Sequence, residues 1–271
     1  MVRATIGMAP VITLLGVILL GVTGCYGFLD GRVPAHPQRP LLRVDPYTTE
    51  RGAVQVETGL VYDRHDFVGT PTTVRYGLSE SSEAFATIQP YQRVYFGDDH
   101  ESGFGDTVVG TRIRCLEESE ILPAAAVQIG GKLPTADERE GLGNEEIDLF
   151  IAGTAARTFE NELEIGAFGQ ARWLGDEAGG DPDLGLDATV YGSQPLTDQF
   201  SVFGEFGGRF VPTQDLDQWF TTWGLRFAVN PGVILDAGGV LGLSDEAPDF
   251  QFMAGVTVLF GSHYMQESPP K

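Results

Sequence analysis

From Arg51 onward the chain repeats one unit: ten or so residues with apolar side chains at every second position, then a turn. In the last such segment Phe250, Phe252, Ala254, Val256, Val258 and Phe260 share one parity, and Gln251, Gly255 and Thr257 the other. Earlier segments behave alike: Trp219, Thr221, Trp223, Leu225, Phe227 and Val229 oppose Gln218, Thr222 and Arg226, and Phe200, Val202, Phe206 and Phe210 oppose Ser201, Glu205 and Arg209. A period of two is the signature of a strand with one apolar and one polar face. Segment by segment, the pattern predicts strands at Val54–Tyr62, Thr72–Leu78, Ala84–Phe96, Thr107–Cys115, Ala124–Leu133, Ile147–Arg157, Leu163–Leu174, Leu184–Gly192, Phe200–Val211, Gln218–Val229, Val233–Leu243 and Phe250–Phe260. The third and fourth are the least regular, and Pro90 fits poorly within a paired strand because it cannot donate to the ladder.

Strand length and polar content choose the architecture. A soluble sandwich needs only five or six residues per strand, whereas a tilted strand crossing a bilayer needs about 9–11. The predicted strands have the longer length, and their apolar faces are filled with Phe, Trp, Val and Leu. The expectation is an all-β fold: an antiparallel up-and-down transmembrane β-barrel of about twelve strands, with ten as the alternative. The opposite parity then faces a lumen. Its charged candidates are Glu57, Arg75, Arg93, Arg112, Arg114, Lys132, Asp148, Glu164, Arg172, Asp187, Glu205, Arg209, Arg226 and Asp236. Acids and bases are mixed, so cross-strand pairing is their expected structural role. Short predicted turns alternate with longer loops, as they do at the periplasmic and outer ends of such barrels. The longer loops hold the acid runs Asp98-Asp99, Asp137-Glu138, Glu145-Glu146 and Asp245-Glu246. Solvation explains these runs; divalent cations bridging to lipopolysaccharide are the sharper alternative. No run has EF-hand spacing, so no metal site is assigned.

The N-terminus changes the picture from a barrel to an exported barrel. Residues 1–24 read as a signal peptide, with Arg3 followed by the short apolar run Met8–Leu20. Val22-Thr23-Gly24-Cys25 resembles a lipobox, which would make Cys25 a lipidation site; ordinary cleavage after Gly24 also fits. Residues 25–49 carry Pro34, Pro37, Pro40 and Pro46 and predict an extended periplasmic linker. The barrel domain is then 50–260, and 261–271 a C-terminal tail.

Composition narrows the functional classes. The 271 residues carry a formal charge of -21, which repels a phosphate backbone and argues against nucleic-acid partners. Nucleophilic catalysis needs a histidine within reach of a serine. His36, His65, His100 and His263 fall in the linker, the loops or the tail, and neither Gly-x-Ser-x-Gly nor His-Glu-x-x-His occurs. Glu162 and Glu164 share a strand face, but a lumen gathers such pairs by default. Cys115 continues the outward series Thr107, Val109, Thr111 and Ile113, and reads as a small apolar residue at the membrane boundary. No cofactor motif is present. The expectation is a passive channel and not an enzyme, with a closed structural or surface-interaction barrel and an outer-membrane hydrolase as alternatives.

Several segments resemble the outer-membrane barrel family labelled for the MetA pathway of phenol degradation. They are Glu57-Thr58-Gly59-Leu60-Val61-Tyr62, Val74-Arg75-Tyr76-Gly77-Leu78, Gly103-Phe104-Gly105-Asp106-Thr107-Val108-Val109-Gly110 and Gly130-Gly131-Lys132-Leu133-Pro134-Thr135, with a looser echo at Asn161-Glu162-Leu163. The chain departs from that pattern at Ala136, where the family usually has Gly, and by running past Phe260 to Lys271. The resemblance implies outer-membrane lipid and lipopolysaccharide as surroundings and a small, hydrophobic or aromatic solute. Met253–Phe260 resembles an insertion signal read by the barrel-assembly machinery. Extracted from membranes, the protein is expected to run faster on SDS gels unboiled than boiled, because a closed barrel resists detergent; a single unshifted band from the soluble periplasm would instead mean a β-sandwich.

Overall fold

The computed structural model describes residues 35–39, 44–63, 66–97, 99–137, 140–175 and 180–261. The expected signal peptide, Cys25, His65, His263 and residues 262–271 of the expected tail lie outside the described residues.

Fifteen strands form one antiparallel sheet. They are β1 (Val54–Asp63), β2 (Phe67–Gly69), β3 (Thr72–Ser79), β4 (Ser82–Ile88), β5 (Gln92–Phe96), β6 (Asp99–Gly103), β7 (Thr107–Leu116), β8 (Ala124–Leu133), β9 (Asp148–Thr158), β10 (Glu164–Leu174), β11 (Asp183–Pro195), β12 (Phe200–Val211), β13 (Leu216–Asn230), β14 (Val233–Gly242) and β15 (Phe250–Phe260). The last strand returns to the first: Val54 pairs with Phe260 and Asp63 with Gln251 in an unbroken ladder. Twelve strands therefore close into a barrel, and the ten-strand alternative falls away.

The remaining three strands, β2, β5 and β6, continue β3, β4 and β7 past the barrel rim. The predicted strand Ala84–Phe96 is thus two strands, broken around Pro90. The break inserts a residue. Thr72 pairs with Ile88, but Gly69 pairs with Gln92, so three steps along one strand match four along the other. A one-residue slip exchanges the faces of a strand. Glu83, Phe85 and Thr87 share the parity of the lumen face in β4, whereas in β5 it is Gln92 that is buried and donates to the Leu142 carbonyl. Arg93 is turned to the other face, beside Tyr91 and Tyr95. It was expected in the lumen and is not there.

The two faces sort as the alternation requires. Exposed large apolar side chains run around the outside: Ile113, Ile129, Ile151, Ile165, Val190, Phe206, Trp223, Leu241 and Phe252 are each at least 43% exposed. The lumen parity supplies the buried polar groups, including Gln55, Glu57, Arg75, Glu83, Arg112, Asp187, Glu205 and Asp236. A water-soluble fold has the reverse arrangement, so only an apolar solvent satisfies this surface. Cys115 is exposed at the end of the outward series of β7, where the alternation placed it.

One end of the barrel has short turns, such as Glu80-Ser81 and Pro231-Gly232; the other has longer loops, such as 134–147 and 243–249. A 3-10 turn at Pro212–Gln214 leads from β12 into β13.

The outward band makes a quantitative expectation. Val190→Arg on the lipid face of β11 should cost about 2–4 kcal/mol of folding free energy in vesicles, the usual cost of a cation near the bilayer midplane. Equilibrium urea titration of the barrel refolded in lipid measures it; an unchanged midpoint would place β11 away from lipid.

Candidate functional site: an occluded, charged lumen

The segment expected to be a periplasmic linker is extended, as its prolines favour, but its described part is not free. Residues 35–39 and 44–50 lie inside the barrel, with Ala35, Gln38, Asp45, Thr48 and Thr49 all buried. Its backbone forms no sheet, so its polar groups need partners, and the lumen wall provides them. The backbone amides of Gln38 and Arg39 both donate to Glu57 Oε2, at 3.0 and 3.1 Å. The Thr49 amide donates to Glu83 Oε2 at 2.7 Å. The Val44 carbonyl accepts from Thr154 Oγ1 at 2.7 Å, and the Tyr47 carbonyl from Arg112 Nη1 at 3.1 Å. Gln55 and His36 exchange two bonds, of 3.1 and 2.9 Å. Arg39 reaches across to the carbonyls of Pro71 and Ala254. The wall groups come from β1, β4, β7, β9 and β15, which ties the segment to more than half of the barrel circumference.

The wall groups that grip it are themselves held by ion pairs. Arg75 pairs with Glu57 at 2.8 Å and lies 3.9 Å from Glu83; Arg112 pairs with Glu83 at 3.2 Å. Arg112 also donates to Gln128 Oε1 and, at 2.7 Å, to Gln38 Oε1. All four charged side chains are at most 7% exposed. Buried ion pairs depend on further hydrogen bonds to their remaining lone pairs and protons; here the segment supplies several of them.

Glu83 was missed from the sequence because it was assigned to a turn at Ser79–Glu83. The observed turn is only Glu80-Ser81, and β4 begins at Ser82. Extending the alternation back from Phe85 and Thr87 would have included it. Gln38 and Asp45 carry no such signal, since nothing periodic marks a segment packed inside a barrel.

The other expected lumen charges form separate groups. Arg172 pairs with Asp187 at 2.9 Å, and Gln170 donates to the same carboxylate at 3.0 Å. Arg209 stands opposite Asp187 in the ladder, and Glu205 is buried four residues along the same strand. Lys132 pairs with Asp148 at 3.3 Å and Asp106 at 3.4 Å. Arg226 lies opposite Asp236 and over the Phe203 ring at 4.8 Å. At the short-turn rim, Arg114 bonds to the Glu80 carbonyl and to Glu117. Glu164 borders a chamber at that end.

The segment divides the lumen. At the long-loop end a cavity of about 390 Å³ is bounded below by Gln38, Arg39 and Val44. At the short-turn end a second, of about 190 Å³, is bounded by His36, Pro37, Asp45 and Tyr47. Neighbouring residues of one extended strap thus face opposite chambers.

Two of the sequence segments with family character, Gly103–Gly110 and Gly130–Thr135, meet at the long-loop rim. Asp106 accepts from the amides of Thr135 and Ala136, each at 3.1 Å, and Thr135 Oγ1 donates to the Gly105 carbonyl at 3.0 Å. A Cβ at Gly143 would come within 2.8 Å of the Asp106 carboxylate, which is why that loop position has no side chain.

A closed barrel with an apolar exterior and an ion-paired, partly hollow interior is a membrane-spanning β-barrel of porin-like build. The chain belongs to the family described as "Putative MetA-pathway of phenol degradation", whose model matches residues 38–260. The match begins inside the lumen segment and ends on the last barrel residue. Among solved structures, an outer membrane channel from Pseudomonas putida F1 superposes with a TM-score of 0.66 at 12% identity, covering 81% of this chain and 100% of that one. The NanC porin gives 0.54 at 10% identity, covering 76% and 98%. At such identities the likeness is one of fold. No curated protein matches the sequence.

Breaking the network from one side should be costly. Arg112→Met leaves Glu83 buried with its main cation gone, an expected loss of about 3–5 kcal/mol. It should also loosen residues 35–50. Hydrogen exchange reads both: faster exchange at Gln38, Arg39 and Thr49 with the barrel strands still protected; unchanged protection there would mean the strap does not depend on Arg112.

Proposed function

We propose that the protein is an outer-membrane channel for small solutes, non-enzymatic, with its lumen partly closed by residues 35–39 and 44–50. The observation that carries this reading is the pair of polar chambers on either side of that segment, inside a barrel whose exterior demands lipid. A purely structural barrel would gain more from a lumen packed through with side chains than from hollow, charged chambers. Family membership and the channel fold of the structural neighbours support the same reading. The short-turn end then faces the periplasm and the long loops face outward, with lipopolysaccharide around the outer rim. On this reading the passing solute is small and carries hydrophobic or aromatic surface, as the family label suggests. The non-enzymatic part rests on packing: His36 stacks on Tyr47 at 4.9 Å and His100 meets Tyr95 at 5.8 Å, as ring neighbours and not as a base beside a nucleophile.

The occluding segment also favours a second reading, a closed structural or surface-interaction barrel. Conductance in planar bilayers separates the two. The full chain should give a small conductance, and a variant lacking residues 35–49 a severalfold larger one. Silence from both, in protein that still shows the heat-modifiable gel shift, would sink the channel reading and leave the closed barrel.

A further inference from the structure

One row of lumen-facing positions on the wall of the long-loop chamber has a composition that ion-pair packing does not explain. Across β4, β7, β8 and β9 the ladder sets Phe85 opposite Gly110, Gly110 opposite Gly130, and Gly130 opposite Phe150. The next step, into β10, sets Phe150 opposite Arg172. Two aromatic rings thus flank two positions with no side chain. A Cβ built on Gly110 would lie 2.5 Å from the Phe85 ring, and one built on Gly130 would lie 2.6 Å from the Phe150 ring. Each ring therefore leans over its neighbouring glycine and lies along the wall, and both line the chamber. The result is a flat apolar floor, three strand spacings or about 14 Å wide, on a chamber wall that also carries charged side chains.

The charge around this floor is predominantly positive. The chamber is lined by Arg39, Arg75, Arg112, Lys132 and Arg172 against Glu57 and Asp148, five cations to two anions, in a chain of net charge -21. Most of these cations are committed. Arg75 and Arg112 are almost fully buried in the network that grips the segment, Arg39 bonds two carbonyls, and Lys132 sits between two carboxylates. Arg172 differs: its side chain is 25% exposed, and one carboxylate, Asp187, pairs with it through Nη2. A guanidinium offers five N–H donors, so a second carboxylate can bind to it.

We infer that the floor Phe85–Gly110–Gly130–Phe150, with Arg172 at its edge, is a binding site for a single-ring aromatic carboxylate. The ring stacks on the floor, and the carboxylate meets Arg172. A volume of about 390 Å³ accommodates a ring and its acid group. The inference rests on the channel reading for its physiological meaning, since the site lies on the path a solute would follow, but its test does not.

The test is binding to the purified full chain in a zwitterionic, non-aromatic detergent, with empty micelles as the blank. Titration calorimetry and saturation-transfer NMR follow benzoate, benzyl alcohol and benzylamine. Benzoate should bind saturably and about tenfold or more tighter than either comparator, the discrimination expected of one charge-assisted hydrogen-bonded pair. Arg172→Gln should bring benzoate down to the level of benzyl alcohol and leave benzyl alcohol unchanged. Phe150→Leu should weaken both by roughly threefold to tenfold, the range of a lost aromatic stack. The heat-modifiable gel shift verifies that each variant is folded. Uptake no greater than that of empty micelles, benzoate binding indifferent to Arg172→Gln, or benzylamine binding as well as benzoate would each overturn the site. A barrel that is silent in bilayers yet binds benzoate in this pattern refutes the channel and keeps the site. A conducting barrel without benzoate binding does the opposite.

Discussion

Everything in this molecule depends on the pairing of β1 with β15. In hydrocarbon an unpaired backbone amide or carbonyl costs several kcal/mol, and no water is present to meet it, so a sheet can face lipid only if it has no edge. Ten consecutive pairs, from Val54 with Phe260 to Asp63 with Gln251, remove the edge. Closure also creates the interior. Once the first and last strands meet, every residue of lumen parity is enclosed, and polar side chains that would be solvated on an open sheet must find partners. β2, β5 and β6 mark where this constraint ends: past the rim, β6 carries a free edge and its side chains Asp99, His100, Glu101 and Ser102 are exposed.

The interior solves its problem by charge pairing and by taking in part of its own chain. Glu57, Arg75, Glu83 and Arg112 alternate in sign around the wall, and each neutralises a neighbour. Backbone groups of Gln38, Arg39, Tyr47 and Thr49 meet part of their remaining hydrogen-bonding capacity. On the proposed channel reading, the arrangement links stability to transport. The contacts that satisfy buried charges are the ones that hold the segment across the lumen, so solute passage around or past it competes with that network. The wall of β7 to β10 lies beside this grip, and there the chamber with its aromatic floor remains open.

Much of the fold was legible because a strand's two faces are written directly in residue parity. The twelve barrel strands and the outward series from Ile113 to Phe260 follow from counting in twos. Arg93 shows the limit of the method. Parity carries through a strand only while the ladder is regular, and around Pro90 one inserted residue turned the following strand over. The family segments were legible as words but not as contacts: Gly103–Gly110 and Gly130–Thr135 are held together by Asp106, a tertiary clamp that no local pattern announces.

The sequence by itself determined the class of surface and which parity of each regular strand is apolar, because these follow from alternation and length along one strand; closure between β1 and β15 decided the number of strands. Only the tertiary structure decided what those charges bind. A proline-rich stretch reads as a free tether, since nothing in its own composition can bury it; it packs because a closed wall surrounds it with unmet donors and acceptors. Likewise Phe85, Gly110, Gly130 and Phe150 are separated by up to 65 positions in the chain and become one floor through the register of four strands. Register is a property of the whole barrel: each pairing fixes the next around the circle, and closure between the first strand and the last admits only one setting.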